Sequence, residues 1–318
     1  MRWAVSACRH GSSATDWAAV PVPRSRCCLP RRLSRCSRCS RSESGICKDC
    51  QSRQTKGHVT SPGAAMSRLV LLLPLTASCL LAAGAAQAAM SCRAESPAHT
   101  VALLELYTSE GCNSCPPADR FVSNLGSMGR DKLVPLSLHV DYWDYIGWKD
   151  VYAKPAFTER QRWLTGLAGS RTVYTPQIFV GGAEQRGWRG GVSNQVRRTN
   201  AQPAQARISM TIGRVSANTL PLVIDAQAPR DSKLFVALYE NGLTSEVKAG
   251  ENRGVTLKHD YVVRDWIGPL AINAEGRLAM PRMPVIPDGA VPAKLGIAAF
   301  VQDARGTVLQ VLAADLCL

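Results

Sequence analysis

Cys112 and Cys115 stand two residues apart in the stretch EGCNSCPP (110–117). A thiol pair at this spacing has three uses. It exchanges electrons with another dithiol, it ligates a soft metal ion, or it closes into a permanent local staple. An apolar run, TVALLELYTS (100–109), precedes the pair, and Pro116 and Pro117 follow it. Proline suits the first turn of a helix, where a missing N–H is no loss. Asp119 adds negative charge near the same end, where the helix dipole favours it. The order is therefore strand, C-x2-C loop, helix. At a helix N-terminus Cys112 faces free backbone N–H groups, which favour thiolate over thiol. Cys115, one turn inward, can attack the mixed disulfide that Cys112 forms. In this reading both are catalytic: Cys112 attacks and Cys115 resolves.

A second group of candidates lies in HVDYWDYIGWKD (139–150), at the carboxyl end of another apolar run, KLVPLSLHV (132–140). In parallel sheets that edge is where ligands bind. Asp141, Tyr142 and Trp143, with Asp144, Tyr145 and Trp148, make an aromatic and acidic loop there. Such a loop is a groove for peptide or small apolar groups, or a cover for the sheet edge with its tryptophans buried. His139, or Asp141 in its place, could join Cys112 and Cys115 around Cu(I) or zinc, because soft thiolates suit those ions. The two-residue spacing favours redox work, so no metal is the favoured reading and metal carriage is the alternative.

The remaining elements have to position these groups. KPAFTERQRWLTGLAG (154–169) reads as a helix with Phe157, Trp163, Leu164 and Leu167 on its apolar face. TPQIFVGG (175–182) reads as a short strand opening at Pro176, and GVSNQVRRTNAQ (191–202) as a polar helix. After residue 205 the pattern becomes β. Ile208, Met210 and Ile212 alternate with polar neighbours, and LPLVIDA follows. In KLFVALYENGLTSEV two apolar runs flank Asn241-Gly242, the strongest short hairpin signal. VTLKHDYVVRDW and a last pair turned at DARG supply more strands. About seven short strands suggest an antiparallel sandwich. GENRG (250–254) reads as a turn rather than a phosphate cradle, and His259-Asp260 as a structural pair.

The motifs LYTSEGCNSCPPAD, HVDYWDYIGWKD, FTERQ and YTPQIFVGG resemble the secreted, thioredoxin-like family known as domain of unknown function 1223. The resemblance runs from about Val101 to the C-terminus and is densest between 101 and 182. It implies a thioredoxin-like fold and a secreted protein, but it supplies no activity, which has to be argued from the site. In thioredoxin-like folds a cis-proline precedes a central strand and packs beside the dithiol. Thr175-Pro176 has that form, so a cis bond is expected; the plain alternative is a trans proline that merely opens a strand. Thr175 and Pro176 thereby join Asp141, Tyr142 and Trp143 as substrate-binding candidates. The expected architecture is an α/β thioredoxin-like domain over 98–202 followed by an all-β sandwich-like domain over 205–318.

Charge and cysteine usage set the compartment. Residues 1–65 hold 12 Lys and Arg against 3 acidic residues, which is +9 of the chain's net +14. A nucleic-acid partner would rest on that stretch alone, and none is expected. Met66 opens a segment with one arginine, a leucine- and alanine-rich core and an exit at Ala86-Gln87-Ala88. That is the layout of a signal peptide over 66–88, with no stable membrane span after its removal. The expectation is that Met66 is the true start and that 1–65 is a non-native or disordered extension. Its rival is a zinc module on Cys36, Cys39, Cys47 and Cys50, whose seven-residue spacer is short for that purpose. Cys79 sits in a poor lipobox. Export implies an oxidising setting, periplasmic or secreted. Of the four mature cysteines, Cys92 and Cys317 lie at opposite ends and could bridge, although four cysteines allow three connectivities. No organic cofactor is needed. The partner is a protein or small thiol/disulfide substrate, and the sequence sets no oligomeric state. The third reading, beside exchange and metal carriage, is a non-enzymatic binding protein with a structural disulfide.

Overall fold

A computed structural model of the chain describes residues 91–318, apart from 274, 276, 277, 279 and 281. The leader at 66–88, the extension at 1–65 with its four-cysteine rival, and Cys79 lie outside the described residues. In chain order the elements are β1 (Cys92–Glu95), β2 (Ala102–Thr108), α1 (Pro116–Leu125), β3 (Leu133–His139), a 3-10 segment (Asp141–Ile146), α2 (Pro155–Leu167), β4 (Gln177–Val180), β5 (Ala183–Glu184) and α3 (Trp188–Asn200). Then come β6 (Arg207–Ile212), β7 (Leu222–Gln227), β8 (Lys233–Glu240), β9 (Leu243–Glu246), β10 (Thr256–His259), β11 (Val262–Ala271), β12 (Leu295–Gln302) and β13 (Val308–Asp315). The fold is mixed α/β, with large sheets and few helices. None of the described helices is long and apolar enough to cross a membrane.

Every residue of β2 and β3 is buried. A strand covered on both faces reads as an unbroken apolar run, as these two do. They pair in parallel from Ala102↔Leu133 to Thr108↔His139, with α1 as the crossover. Helices α1 and α3 cover one face, where Ala118, Val122, Val192 and Val196 pack with Leu104, Leu106 and Ile178. Helix α2 covers the other, setting Phe157 and Leu164 against Leu103, Leu136 and Leu138.

The strands after residue 205 do not close a sandwich of their own. A single sheet runs β13-β12-β8-β11-β3-β2-β4-β5, joining both halves of the chain. The join is at β11 and β3, where Val262 meets Ser137 in parallel and the Ser137 N–H donates to the Tyr261 carbonyl at 2.8 Å. An unpaired edge at Ser137 would leave a buried backbone donor without a partner, and the chain entering β11 supplies one there. The sandwich-type contact is present in a different form. β1, β6 and β7 make a three-stranded sheet, and Ile208, Met210, Leu222 and Ile224 pack with Leu234, Val236, Leu238 and Ile297 of the shared sheet. Cys92 and Cys317 are bridged, with 5.6 Å between their Cα atoms.

Asn241-Gly242 does not turn a hairpin between β8 and β9. β8 pairs with β11 and β12, and β9 pairs with β10. Gly242 adopts φ +64°, its N–H donates to Asp260 Oδ1 at 2.8 Å, and Asn241 Oδ1 accepts from the Tyr261 N–H at 2.9 Å. The dipeptide swings the chain out of the sheet, and Asp260-Tyr261, with Tyr261 at φ +59°, swings it back. The clasp closes the base of a separate two-stranded ribbon, β9–β10.

Arg160 of α2 reaches Glu105 of β2 at 2.5 and 3.1 Å and Gln302 of β12 at 3.1 Å, over the ring of Phe235 at 4.7 Å. Both partners of this ion pair are buried. Removing one partner strands the other charge. Arg160→Leu is therefore expected to lower stability in urea unfolding by ~3–5 kcal/mol, with part of the loss recovered by adding Glu105→Gln. Equal losses with and without the second change would contradict this.

Candidate functional site

The turn after β2 is built from short-range backbone bonds. The Cys112 N–H donates to Ser109 O at 3.2 Å, the Cys115 N–H to Cys112 O at 3.2 Å, and the Ala118 and Asp119 N–H groups to Cys115 O at 2.8 and 3.1 Å. Cys115 thus caps α1, with prolines at its first positions. Cys112 and Cys115 form a disulfide with 5.5 Å between Cα atoms. Cys112 Sγ lies 3.2 Å from Ser114 Oγ and 3.8 Å from the Thr175 carbonyl oxygen. Both cysteines are 0% exposed. At Gly111 a Cβ would sit 3.2 Å from Ile146 Cδ1 and 3.4 Å from Trp143 Cβ, so the aromatic loop presses directly on the turn.

Beneath the disulfide lies a set of ionisable groups that sequence reasoning did not assemble. Glu110, Asp119, His139, Asp150 and His259 are all buried. Asp150 Oδ2 accepts from the Glu110 N–H at 2.9 Å and contacts His139 Nδ1 at 2.7 Å. Trp148 Nε1 donates to Glu110 Oε2 at 2.7 Å. His259 Nε2 stands 3.3 Å from Glu110 Oε1, outside hydrogen-bond geometry. The two imidazole rings meet edge to face at 5.1 Å. His139 Nε2 and both nitrogens of His259 lack a hydrogen-bond partner among the described residues.

Burial by itself would raise the Asp150 carboxyl, but His139 and the N–H groups of Glu110 and Tyr152 more than offset it and hold it below the usual carboxylate range. Burial likewise works against the charged form of His139, but Asp150 overrides it and pushes the imidazole up. Glu110 is held low, its burial outweighed by His259, Ser245 and Trp148. Asp119 differs: burial dominates, and its carboxyl is pushed up. On α1 it lies four residues past Cys115, on the same helix face.

The tip of the β9–β10 ribbon supplies three further hydrogen bonds. Asn252 Nδ2 donates to Glu110 O at 2.8 Å and to Cys112 O at 2.9 Å. Glu251 Oε2 accepts from the Asn113 N–H at 3.0 Å. GENRG is thus a turn, as expected, but one that rests on the C-x2-C loop. No local signal marks it, because the contacts join segments 138 to 142 residues apart.

The predicted site residues fall in three places. Thr175 and Trp143 meet beside the dithiol, where Trp143 Nε1 donates to Thr175 Oγ1 at 2.7 Å, and the Thr175–Pro176 bond is cis. Tyr142 packs half-buried on the α2 side of the core. Asp141 turns towards α2, accepting from Thr158 Oγ1 at 2.6 Å. The metal set of Cys112, Cys115 and His139 or Asp141 is not assembled. The cysteines are joined to each other, His139 is held by Asp150, and no cluster of three metal-ligating side chains occurs among the described residues.

The chain is therefore a mixed α/β protein with a disulfide at a strand-to-helix turn over a buried acid–imidazole cluster. Residues 103–302 match the family described as Protein of unknown function (DUF1223), and the chain belongs to it. A crystal structure of a protein from Agrobacterium tumefaciens is similar at 26% identity and a TM-score of 0.49, covering 69% of this chain and 98% of that one. HBP35 of Porphyromonas gingivalis is similar at 15% identity and a TM-score of 0.54, covering 69% of this chain and 76% of that one, a likeness of fold alone. No curated protein matches the sequence.

The raised Asp119 carboxyl has a stability consequence with a definite sign. The folded state holds this proton to a higher pH than the unfolded chain does, so stability falls as pH climbs from the ordinary aspartate value through the raised one. An asparagine in its place cannot titrate. Asp119→Asn is expected to match the parent near pH 4 and to be the more stable of the two at neutral pH in urea titrations. A variant less stable at neutral pH would contradict the sign.

Proposed function

We propose that the protein is an exported thioredoxin-like thiol–disulfide oxidoreductase acting through Cys112 and Cys115. The observation that carries this reading is the seat of the pair, in the turn between a parallel strand and a helix N-terminus with the Thr175 carbonyl against Cys112 Sγ. Free N–H groups at such a terminus stabilise a sulfur anion. In the oxidising direction a substrate thiolate attacks Cys112 Sγ. The S–S bond breaks, its electron pair leaves on Cys115 Sγ, and that sulfur takes a proton. The substrate's second thiolate attacks its own sulfur in the mixed disulfide and releases Cys112. The substrate dithiol loses two electrons and two protons to the pair. In reverse, the Cys112 thiolate attacks a substrate disulfide and Cys115 resolves the adduct. No organic cofactor enters. Thr175 borders the first sulfur, Trp143 is bonded to Thr175 and Pro176 follows it in the chain, and together the three shape the substrate contact. Export to the periplasm or beyond is supported by the Cys92–Cys317 bridge, a kind of bond that persists in oxidising compartments.

A second reading has its own observation. Both sulfurs are 0% exposed, which suits a staple that holds the turn in a non-enzymatic binding protein. Single-cysteine variants separate the two. Incubated folded with glutathione disulfide, Cys115→Ser is expected to take one glutathione on Cys112 at least about tenfold faster than Cys112→Ser takes one on Cys115, read by mass spectrometry. If neither variant forms an adduct until urea unfolds it, the staple is correct.

A further inference from the structure

Among the described residues, the β9–β10 ribbon joins no larger sheet. Its base is clasped by Asn241, Gly242, Asp260 and Tyr261. Its tip, residues 247–255, ends on the C-x2-C turn. The tip is ordered within itself: the Gly254 N–H donates to Val247 O at 2.8 Å and the Val255 N–H to Asn252 O at 3.0 Å. Towards the turn its hold is made by side chains and packing rather than by strand pairing. It includes the two bonds from Asn252, the one to Glu251, and the packing of Gly250 against Ile146 and Trp148 and of Ala249 beside Gly147. Gly250 and Gly254, at φ +73° and +81°, bracket the residues that make those bonds.

From this we infer that the 247–255 tip is a gate over the dithiol, with Glu251 and Asn252 as the positioning residues that hold it shut. The inference rests on the exchange reading above. Attack on a disulfide needs a path to sulfur, and neither Cys112 nor Cys115 has one in this arrangement. The gate reconciles that burial with the chemistry. Opening it breaks three hydrogen bonds and leaves the eight-stranded sheet intact. A two-stranded ribbon is the kind of element that opens locally at less cost than a central sheet does. Glu251 is exposed, so water replaces its bond readily. Glu110 O and Cys112 O, which Asn252 satisfies, are neighbouring acceptors in a buried turn and need a replacement donor when the tip leaves. Backbone N–H groups of an extended peptide supply such donors. The substrate class is therefore a cysteine-bearing polypeptide segment whose main chain takes the place of the Asn252 amide.

There is a charge effect in the same contact. The Glu251 carboxylate occupies the Asn113 N–H, on the residue next to Cys112 in the chain. A closed tip thus holds the backbone of the turn in place and sets a carboxylate against it, which disfavours a sulfur anion there.

The test compares the parent protein with Glu251→Ala/Asn252→Ala, using dithiothreitol as the reductant and alkylation with mass spectrometry as the readout. One dithiothreitol is oxidised to its cyclic disulfide for each Cys112–Cys115 pair reduced. The double variant is expected to be reduced about tenfold faster. Oxidation of a dithiol peptide by each protein is followed alongside. Faster reduction together with faster peptide oxidation supports both the gate and the exchange reading. Equal reduction rates, with the parent already oxidising the peptide, overturn the gate and leave the exchange reading standing. Faster reduction with no peptide oxidation by either protein keeps the gate and removes the exchange reading. Reduction of neither protein short of unfolding overturns both. Should the double variant fail to fold, Glu251→Ala alone, at an exposed position, carries the same comparison with a smaller expected gain.

Discussion

Buried backbone cannot be left unpaired, and the chain entering this site is buried for a long way. From Val101 through Cys112 every residue is out of solvent. While the chain is in β2 its neighbours β3 and β4 satisfy it. Beyond Thr108 the sheet no longer helps, and each polar group needs a partner brought from elsewhere. Asp150 takes the Glu110 N–H, Asn252 takes the carbonyls of Glu110 and Cys112, and Trp148 takes the Glu110 carboxylate. His139 then holds Asp150. Three remote segments converge on one turn because that turn is buried, and the disulfide is one knot in the resulting network.

The same burial shapes the chemistry. Three carboxyl groups and two imidazoles share a small space under the dithiol, and two of the carboxyls are held ionised by their neighbours while the third is pushed towards its protonated form. Apolar residues of similar size would cost the fold less than such a group does. Ionisable side chains shifted by burial and by specific charge partners, gathered at a candidate site, are a physical pointer to function. The Glu105–Arg160 pair is the contrasting case. It is equally buried, but its partners saturate one another and span β2, α2 and β12. Its role is to lock the two halves of the chain together.

Much of this was legible in the sequence where local pattern carries it. The strand, the C-x2-C turn and the proline-led helix follow from an apolar run, a spacing and two prolines, and the structure has them as β2, the disulfide and α1. The form of Thr175-Pro176 and the terminal positions of Cys92 and Cys317 also pointed to what is found. What failed was pairing between distant segments. Asn241-Gly242 carries a strong turn signal, but the signal does not say which strand comes next to which, and here it marks an exit from the sheet. Asp119 reads as a helix-terminus charge because nothing local reveals that β10 and its His259 close over that face. Glu251 and Asn252 sit in a glycine loop like any other until the fold brings it onto Cys112.

Everything proposed for this site turns on whether the Cys112–Cys115 bond opens and closes while the protein stays folded. Equilibrating the native protein across a series of reduced-to-oxidised glutathione ratios, and counting free thiols at each, measures this directly. The expected result is a reversible transition confined to Cys112 and Cys115, with Cys92–Cys317 oxidised throughout and the fold unchanged. A pair that stays oxidised at every ratio until the sheet itself unfolds would contradict it.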